Sequence, residues 1–129
     1  MSDSWICPDW PAPARVRALS TTRVGGVSVA PYDSLNLGTH VGDDPAAVEM
    51  NRARLRSVLP GEPAWLNQVH GAAVVDAAAC TGAPDADAAV SCSPGEVCTV
   101  MTADCLPLLL CDRAGTVVAA VHAGWRGLQ

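Results

Sequence analysis

The final third of the chain restricts the fold more than any other stretch. Residues 97–101, 108–112 and 116–121 each have the length and apolar content of a strand, and Arg113-Ala114-Gly115 reads as the hairpin loop joining the last two. Both faces of these strands are apolar, which predicts a sheet covered on both sides. Residues 64–70 and 73–77 are further β-like runs separated by Gly71, and residues 81–87 carry the Gly, Pro and Asp content of a loop. Upstream, residues 15–20 alternate polar with apolar as an edge strand does. Asp44 before Pro45 is an N-cap followed by a favoured first helical residue. Val48, Leu55 and Leu59 then sustain an apolar stripe until Pro60-Gly61, so one amphipathic helix is expected over residues 45–59. Its Arg52, Arg54 and Arg56 read as a solvated face.

Length and composition bound the partners. With 129 residues, 50% of them hydrophobic and 16% charged, the chain suits one globular domain. Its eight basic residues are all arginine and face thirteen carboxylates, for a net charge of -5 and a pI near 4.9. No basic run exists to grip nucleic acid. No apolar stretch approaches the roughly 20 residues that span a bilayer, and the N-terminus lacks a secretory pattern, so a cytoplasmic protein without a membrane partner is expected. The six cysteines form no CxxC pair and lie mostly among apolar neighbours, so most of them are expected to be reduced and buried. Composition leaves the oligomeric state open.

Two irregular stretches have the character of binding loops. In TTRVGGVS, the Gly25-Gly26 pair marks a tight bend beside Arg23, where an anion can dock. The segment PYDSLNLGTHVG, residues 31–42, is long and glycine-punctuated and carries Asn36 and His40. For Asn36, a contact to a ligand and a loop-stabilising Asx turn weigh about equally.

Three side chains able to bind a metal fall at predicted strand ends: His70 after WLNQV, Cys105 in TADCLP and His122 after VVAAV. Pro107 is expected to bend the chain after Cys105, and Ala123-Gly124 to turn it after His122, which puts Cys105 and His122 on one sheet rim. One thiolate and two imidazoles suit zinc and leave a fourth tetrahedral position open, as a catalytic site requires. The same atoms suit a thiolate nucleophile activated by histidine. Spacing does not separate these two, nor either from a third reading in which the histidines are hydrogen-bonded core residues and Cys105 a buried thiol. Asp104 is read as a local cap ahead of a supporting role at the site.

The strings TTRVGGVS, SLNLGTHVGDDP, NRARL, WLNQVHG, TADCLPLLLCD and HAGWRGL, in that order, resemble the laccase-domain polyphenol oxidase family, whose members are also called peptidoglycan editing factors and purine nucleoside phosphorylases with adenosine deaminase activity. The resemblance implies that His70, Cys105 and His122 bind zinc and carry the catalysis. It also implies an α/β (α+β) fold with mixed sheets in an α/β/β/α sandwich, similar to cysteine-histidine deamidating toxins. Family members continue well beyond HAGWRGL, so residues 1–129 are expected to be a single incomplete domain, an N-terminal fragment with weak or no activity alone.

The implied chemistry is phosphorolysis of adenosine, inosine or S-methyl-5'-thioadenosine, together with adenosine deamination. The partners are then a purine nucleoside and phosphate. Arg23 is the expected phosphate anchor, since a guanidinium holds two oxyanion lone pairs at once, and Asn36, His40 and Arg126 are candidate substrate contacts. Two alternatives come with the resemblance: a copper-dependent oxidase of phenols, and an amide hydrolase using Cys105 as nucleophile. Three histidines in all are too few for the several histidine-rich centres of a multicopper enzyme.

Overall fold

A computed structural model describes residues 5–103 and 105–123. They form two compact units, one of residues 5–10 and 17–59, the other of residues 11–16 and those described from residue 60 onward. Among the described residues, no helix is long and apolar enough to cross a membrane.

In the first unit, α1 spans Pro45–Arg56. Asp44 caps it by accepting from the Ala46 N–H at 3.1 Å, and Pro45 opens the first turn, where an amide hydrogen has no helical partner anyway. The helix ends three residues before the expected boundary, at the Ser57 C-cap, and the N–H groups of Val58 and Leu59 bond back to Leu55 and Arg56 as turns. Val48, Asn51 and Leu55 form its buried stripe, while Trp5 and Leu35 are the unit's other buried large apolar residues.

Asn51 organises the loops of this unit. It is fully buried, accepts from the Val27 N–H at 2.8 Å, and donates to Ser28 Oγ at 2.9 Å and the Asn36 carbonyl at 2.8 Å. Gly26 is where the backbone passes: a Cβ there would lie 2.2 Å from the Ser34 carbonyl oxygen and 2.6 Å from Asn51 Oδ1. Gly25 before it has φ of 107°, which a side chain would strain.

The helical arginines are not simply a solvated face. Arg52 donates to the Leu37 carbonyl at 2.9 Å and Arg54 to the Gly25 carbonyl at 2.8 Å, so the helix braces both irregular loops. Residues 15–20 form no edge strand. Ser20 makes an isolated antiparallel bridge to Ile6, and the Val16 N–H turns back to the Pro13 carbonyl at 2.9 Å. Alternation without a neighbouring partner does not make a strand.

The second unit holds the sheets. β1 (Pro63–Ala64) pairs in parallel with β4 (Val97–Cys98). A four-stranded mixed sheet has the order β2-β3-β6-β5, comprising β2 (Val74–Asp76), β3 (Ala88–Ser91), β5 (Leu106–Cys111) and β6 (Val118–Ala123). The β2/β3 pair is parallel, and β3/β6 and β5/β6 are antiparallel, so the α/β class with mixed sheets is what the chain adopts. Leu66, Ala86 and Ala89 form the buried core, with Val75, Cys80, Cys98 and Val100 packed against it.

Several sequence expectations shift here. β3 has no counterpart among them because its AAVS content is poor in β-favouring residues, yet as a central strand it buries Ala88, Ala89 and Ser91. Pro107 lies inside β5, opposite His122, and does not bend the chain out of pairing. Among the described residues β5 is flanked by β6 alone, and at such an edge position a missing N–H is tolerated. Nor is the sheet covered throughout, since Leu106 and Leu110 on β5 are about half exposed, at 49% and 52%.

The hairpin between β5 and β6 forms as expected. Asp112 takes the N–H groups of Thr116 at 2.7 Å and Val117 at 3.1 Å together with the Thr116 hydroxyl, and Gly115 supplies φ of 72°. Among the described residues no disulfide links any of the six cysteines. None is fully buried, however, and Cys7 and Cys92 are exposed, against the expectation of buried thiols.

Candidate metal centre

The WLNQVHG string is irregular backbone, not the strand expected over residues 64–70, and its hydrogen bonds explain how it is held. The Asn67 N–H donates to the Pro84 carbonyl at 2.9 Å, its side-chain amide donates to Asp85 Oδ1 at 2.7 Å, and its carbonyl accepts from Ala86 at 3.2 Å. Gln68 behaves as a neighbouring strand would. Its amide donates to the Met101 carbonyl at 2.7 Å and accepts from the Met101 N–H at 2.6 Å, tying this string to the segment that leads into Cys105.

The next three amides converge on one buried carboxylate. Val69 and Gly71 donate to Asp87 Oδ1 and His70 to Asp87 Oδ2, each at 3.0 Å. Successive N–H groups wrapped around an anion form a backbone nest. His70 itself has φ of 60°, a left-handed conformation costing a non-glycine residue about 1–2 kcal/mol. Hydrogen bonds to a charged group contribute about 1.5–3 kcal/mol each, enough to offset that strain.

His122 approaches Asp87 from β6. Its N–H donates to the Asp87 carbonyl at 2.7 Å, and its ring Nδ1 lies 2.7 Å from Asp87 Oδ2. Both side chains are buried, at 4% and 3% exposure. Burial alone pushes the Asp87 carboxyl upward. The Gly71 N–H, the His122 ring and the N–H groups of Val69 and His70 together outweigh it and hold the group below the usual carboxylate range. An ionised carboxylate only accepts, so the proton between the two groups belongs to His122 Nδ1, and in the neutral ring that tautomer leaves the lone pair on Nε2.

Cys105 is the third side chain, immediately before β5, whose Pro107 lies directly opposite His122 in the β5/β6 pair. One ligand atom from each of His70, Cys105 and His122 lies within 4.8 Å of the others. The two imidazole rings meet edge-on, with centroids 5.0 Å apart and an interplanar angle of 74°. His70 is exposed, Cys105 half-buried and His122 buried, so the cluster opens to solvent on one side.

The donor set fits a transition metal. Tetrahedral zinc, with bonds of about 2.0–2.3 Å, separates its donors by roughly 3.3–3.8 Å, so the widest gap here needs to close by about 1–1.5 Å at most. Two nitrogens and one sulfur are the borderline-soft mixture that zinc accepts, and three protein donors leave one position open. His122, buried and bonded to Asp87, also fits the reading as a hydrogen-bonded core histidine, whereas the exposed His70 does not.

The remaining sequence-predicted residues lie elsewhere in the chain. Arg23, in the first unit, is exposed; its Nε donates to the Asp33 carbonyl at 3.2 Å and its guanidinium lies 3.8 Å from the Asp33 carboxylate. Asn36 forms the Asx-type turn weighed from sequence. It accepts from the Gly38 N–H at 3.1 Å and donates to the Gly38 carbonyl and Asp43 Oδ2, both at 3.2 Å. His40 is exposed beside Gly38. Arg126 and Asp104 lie outside the described residues.

Sequence reasoning passed over Gln68 and Asp87. A signal for Asp87 was present: a carboxylate between Ala86 and Ala88-Ala89, at the start of an apolar run, needs donors when it is buried.

Residues 17–129 match the family described as multi-copper polyphenol oxidoreductase laccase. The chain is 64% identical over 126 residues to a protein of Pseudomonas aeruginosa named purine nucleoside phosphorylase, covering 98% of this chain and 52% of that protein. It is 60% identical over 129 residues to the Escherichia coli K12 protein named purine nucleoside phosphorylase YfiH, covering 95% of this chain and 52% of the relative. Among solved structures, a Neisseria meningitidis protein superposes with a TM-score of 0.91 at 59% identity, and YlmD from Geobacillus stearothermophilus with 0.83 at 32%. Each of these superpositions covers 98% of this chain and 52% of the other. The chain therefore spans about half the length of the curated relatives it matches.

Proposed function

The chain belongs to the multi-copper polyphenol oxidoreductase laccase family, and on that premise we propose that it serves a zinc-dependent purine nucleoside enzyme. The observation that carries the proposal is the convergence of His70, Cys105 and His122 to within 4.8 Å. Two reactions are assigned. In phosphorolysis, phosphate displaces the base of adenosine, inosine or S-methyl-5'-thioadenosine and leaves the sugar 1-phosphate. In deamination, water replaces the adenosine amino group, giving inosine and ammonia. The names of the 64% and 60% identical relatives support the phosphorylase part of this reading.

His70, Cys105 and His122 are the residues that hold the ion. Zinc, when bound, supplies a Lewis acid that lowers the pKa of water toward about 7. The chain's own contribution is to bring three donors together, to hold the His122 ring through Nδ1 so that Nε2 is the nitrogen left for the ion, and to leave the exposed His70 side open for a nucleoside. Arg23 is the proposed phosphate anchor: its exposed guanidinium can exchange a long 3.8 Å contact with Asp33 for a bidentate grip on an oxyanion. Asn36, His40 and Arg126 are the remaining proposed substrate contacts. The same reading places the protein in the cytoplasm.

Copper-dependent phenol oxidation is the reading the family's description invites. This chain offers one three-donor set among its described residues and three histidines in all, which does not build a relay of copper centres. Metal analysis of the purified protein, with chromatography of an adenosine-plus-phosphate incubation, tests the proposal. Bound zinc with adenine or inosine as product supports it, and normal turnover by a metal-free Cys105→Ala protein overturns it.

A further inference from the structure

We infer that Asp87 is the positioning residue of this centre, one buried carboxylate that sets both histidines by selecting the nitrogen His122 presents and shaping the turn that carries His70. The inference rests on the reading of His70, Cys105 and His122 as a metal site. It concerns a residue that would not touch the ion, and it follows from the distribution of hydrogen bonds over the two carboxylate oxygens.

Oδ1 accepts from the Val69 and Gly71 amides, and Oδ2 accepts from the His70 amide while facing His122 Nδ1 at 2.7 Å. The backbone of Asp87 is engaged as well: its N–H donates to the Ala73 carbonyl at 3.2 Å, and its carbonyl accepts from the His122 N–H at 2.7 Å. Asp87 is thereby bonded to the main chain of both histidines and to the ring of one. At 2% exposure, it leaves little room for water to substitute.

The chemistry needs a carboxylate at this position. Four donors converge on two oxygens, and an ionised carboxylate accepts at both without offering a proton of its own. An asparagine of the same shape would turn an NH2 group toward either the amide nest or the imidazole. Facing the imidazole, that group would favour the tautomer with the proton on Nε2, the nitrogen left for the ion. Carboxylates that orient ligating histidines in this way typically change metal affinity about 10–100-fold when altered.

The test uses isotope-labelled, chelator-stripped protein and cobalt(II) as the probe. In the unsubstituted protein, two-bond nitrogen–proton correlation is expected to show His122 protonated at Nδ1 and bare at Nε2; a proton on Nε2 overturns the inference without recourse to any variant. Asp87→Asn is expected to weaken cobalt binding about 10–100-fold and to alter the visible ligand-field spectrum. Asp85→Asn is the control for loosening of the same loop, because Asp85 holds Asn67 and its side chain is bonded to neither histidine. Its cobalt affinity is expected to stay within about twofold of the parent.

Unchanged affinity and spectrum in Asp87→Asn, or equal losses in both variants, overturn the inference. Should Asp87→Asn fail to fold, the tautomer in the unsubstituted protein decides. An unsubstituted protein that takes up no cobalt defeats the metal-centre reading, and the tautomer then still decides whether Asp87 sets His122.

Discussion

The side-chain amide of Gln68 engages both polar groups of the Met101 main chain, donating to the carbonyl at 2.7 Å and accepting from the N–H at 2.6 Å. This contact joins the string that delivers His70 to the segment that delivers Cys105. Gln68→Ala should leave both Met101 groups unpaired in a half-buried setting and destabilise the protein by about 1–3 kcal/mol. Urea unfolding would measure that loss. Zinc affinity should fall with it, although every ligand is retained.

Asn51 should be the most sensitive position of the first unit. Its replacement by alanine strands the Val27 N–H and the Asn36 carbonyl, removes the bond that the Ser28 hydroxyl accepts while leaving the one it donates to Asp43, and leaves a void at a fully buried site. A loss of about 2–4 kcal/mol is expected. Asn51→Asp should be nearly as harmful, because it keeps the acceptor for Val27 but loses both donors and buries a charge. Thermal denaturation of the two variants checks this order.

The thiol of Cys98 is pushed up to about 11, chiefly by burial and further by the charges of Glu96, Cys80 and Asp76. The native state therefore holds this proton more tightly than the unfolded chain, whose thiol titrates near 9. The stability contributed is complete below about pH 9 and is lost as pH rises toward 11. The urea midpoint should fall over that window more steeply in the parent than in Cys98→Ala. At pH 8, iodoacetamide should modify exposed Cys7 and Cys92 well before Cys98.

Metal should stabilise the fold by mass action. At a free zinc concentration about 100-fold above the dissociation constant, unfolding should cost about 2.7 kcal/mol more than in the stripped protein. Cys105→Ala should abolish most of that increment. An equal zinc-dependent gain in this variant and in the parent, measured by denaturant titration, would remove Cys105 from the site.

Local chemistry made much of this protein legible from its residues. Asp44-Pro45 announces the start of α1, because a cap and its proline act within one turn. Arg113-Ala114-Gly115 announces the hairpin for the same reason of short range, with Gly115 supplying the positive φ. His70, Cys105 and His122 were identifiable as donors from residue type, with Cys105 and His122 also near the strand ends expected of them, and Gly25-Gly26 as a bend. What the sequence alone left open was every decision made by a partner distant along the chain. The alanines of β3 form a strand because β2 and β6 flank it, and Pro107 stays paired because β5 is an edge. Arg52 and Arg54 find loop carbonyls, and Asp87 gathers three amides and an imidazole. Propensity acts over a few residues, whereas register and burial are settled only when separate segments meet. The identities of the three candidate donors were thus written in the sequence, but their convergence and the carboxylate bonded to both histidines are properties of the tertiary fold.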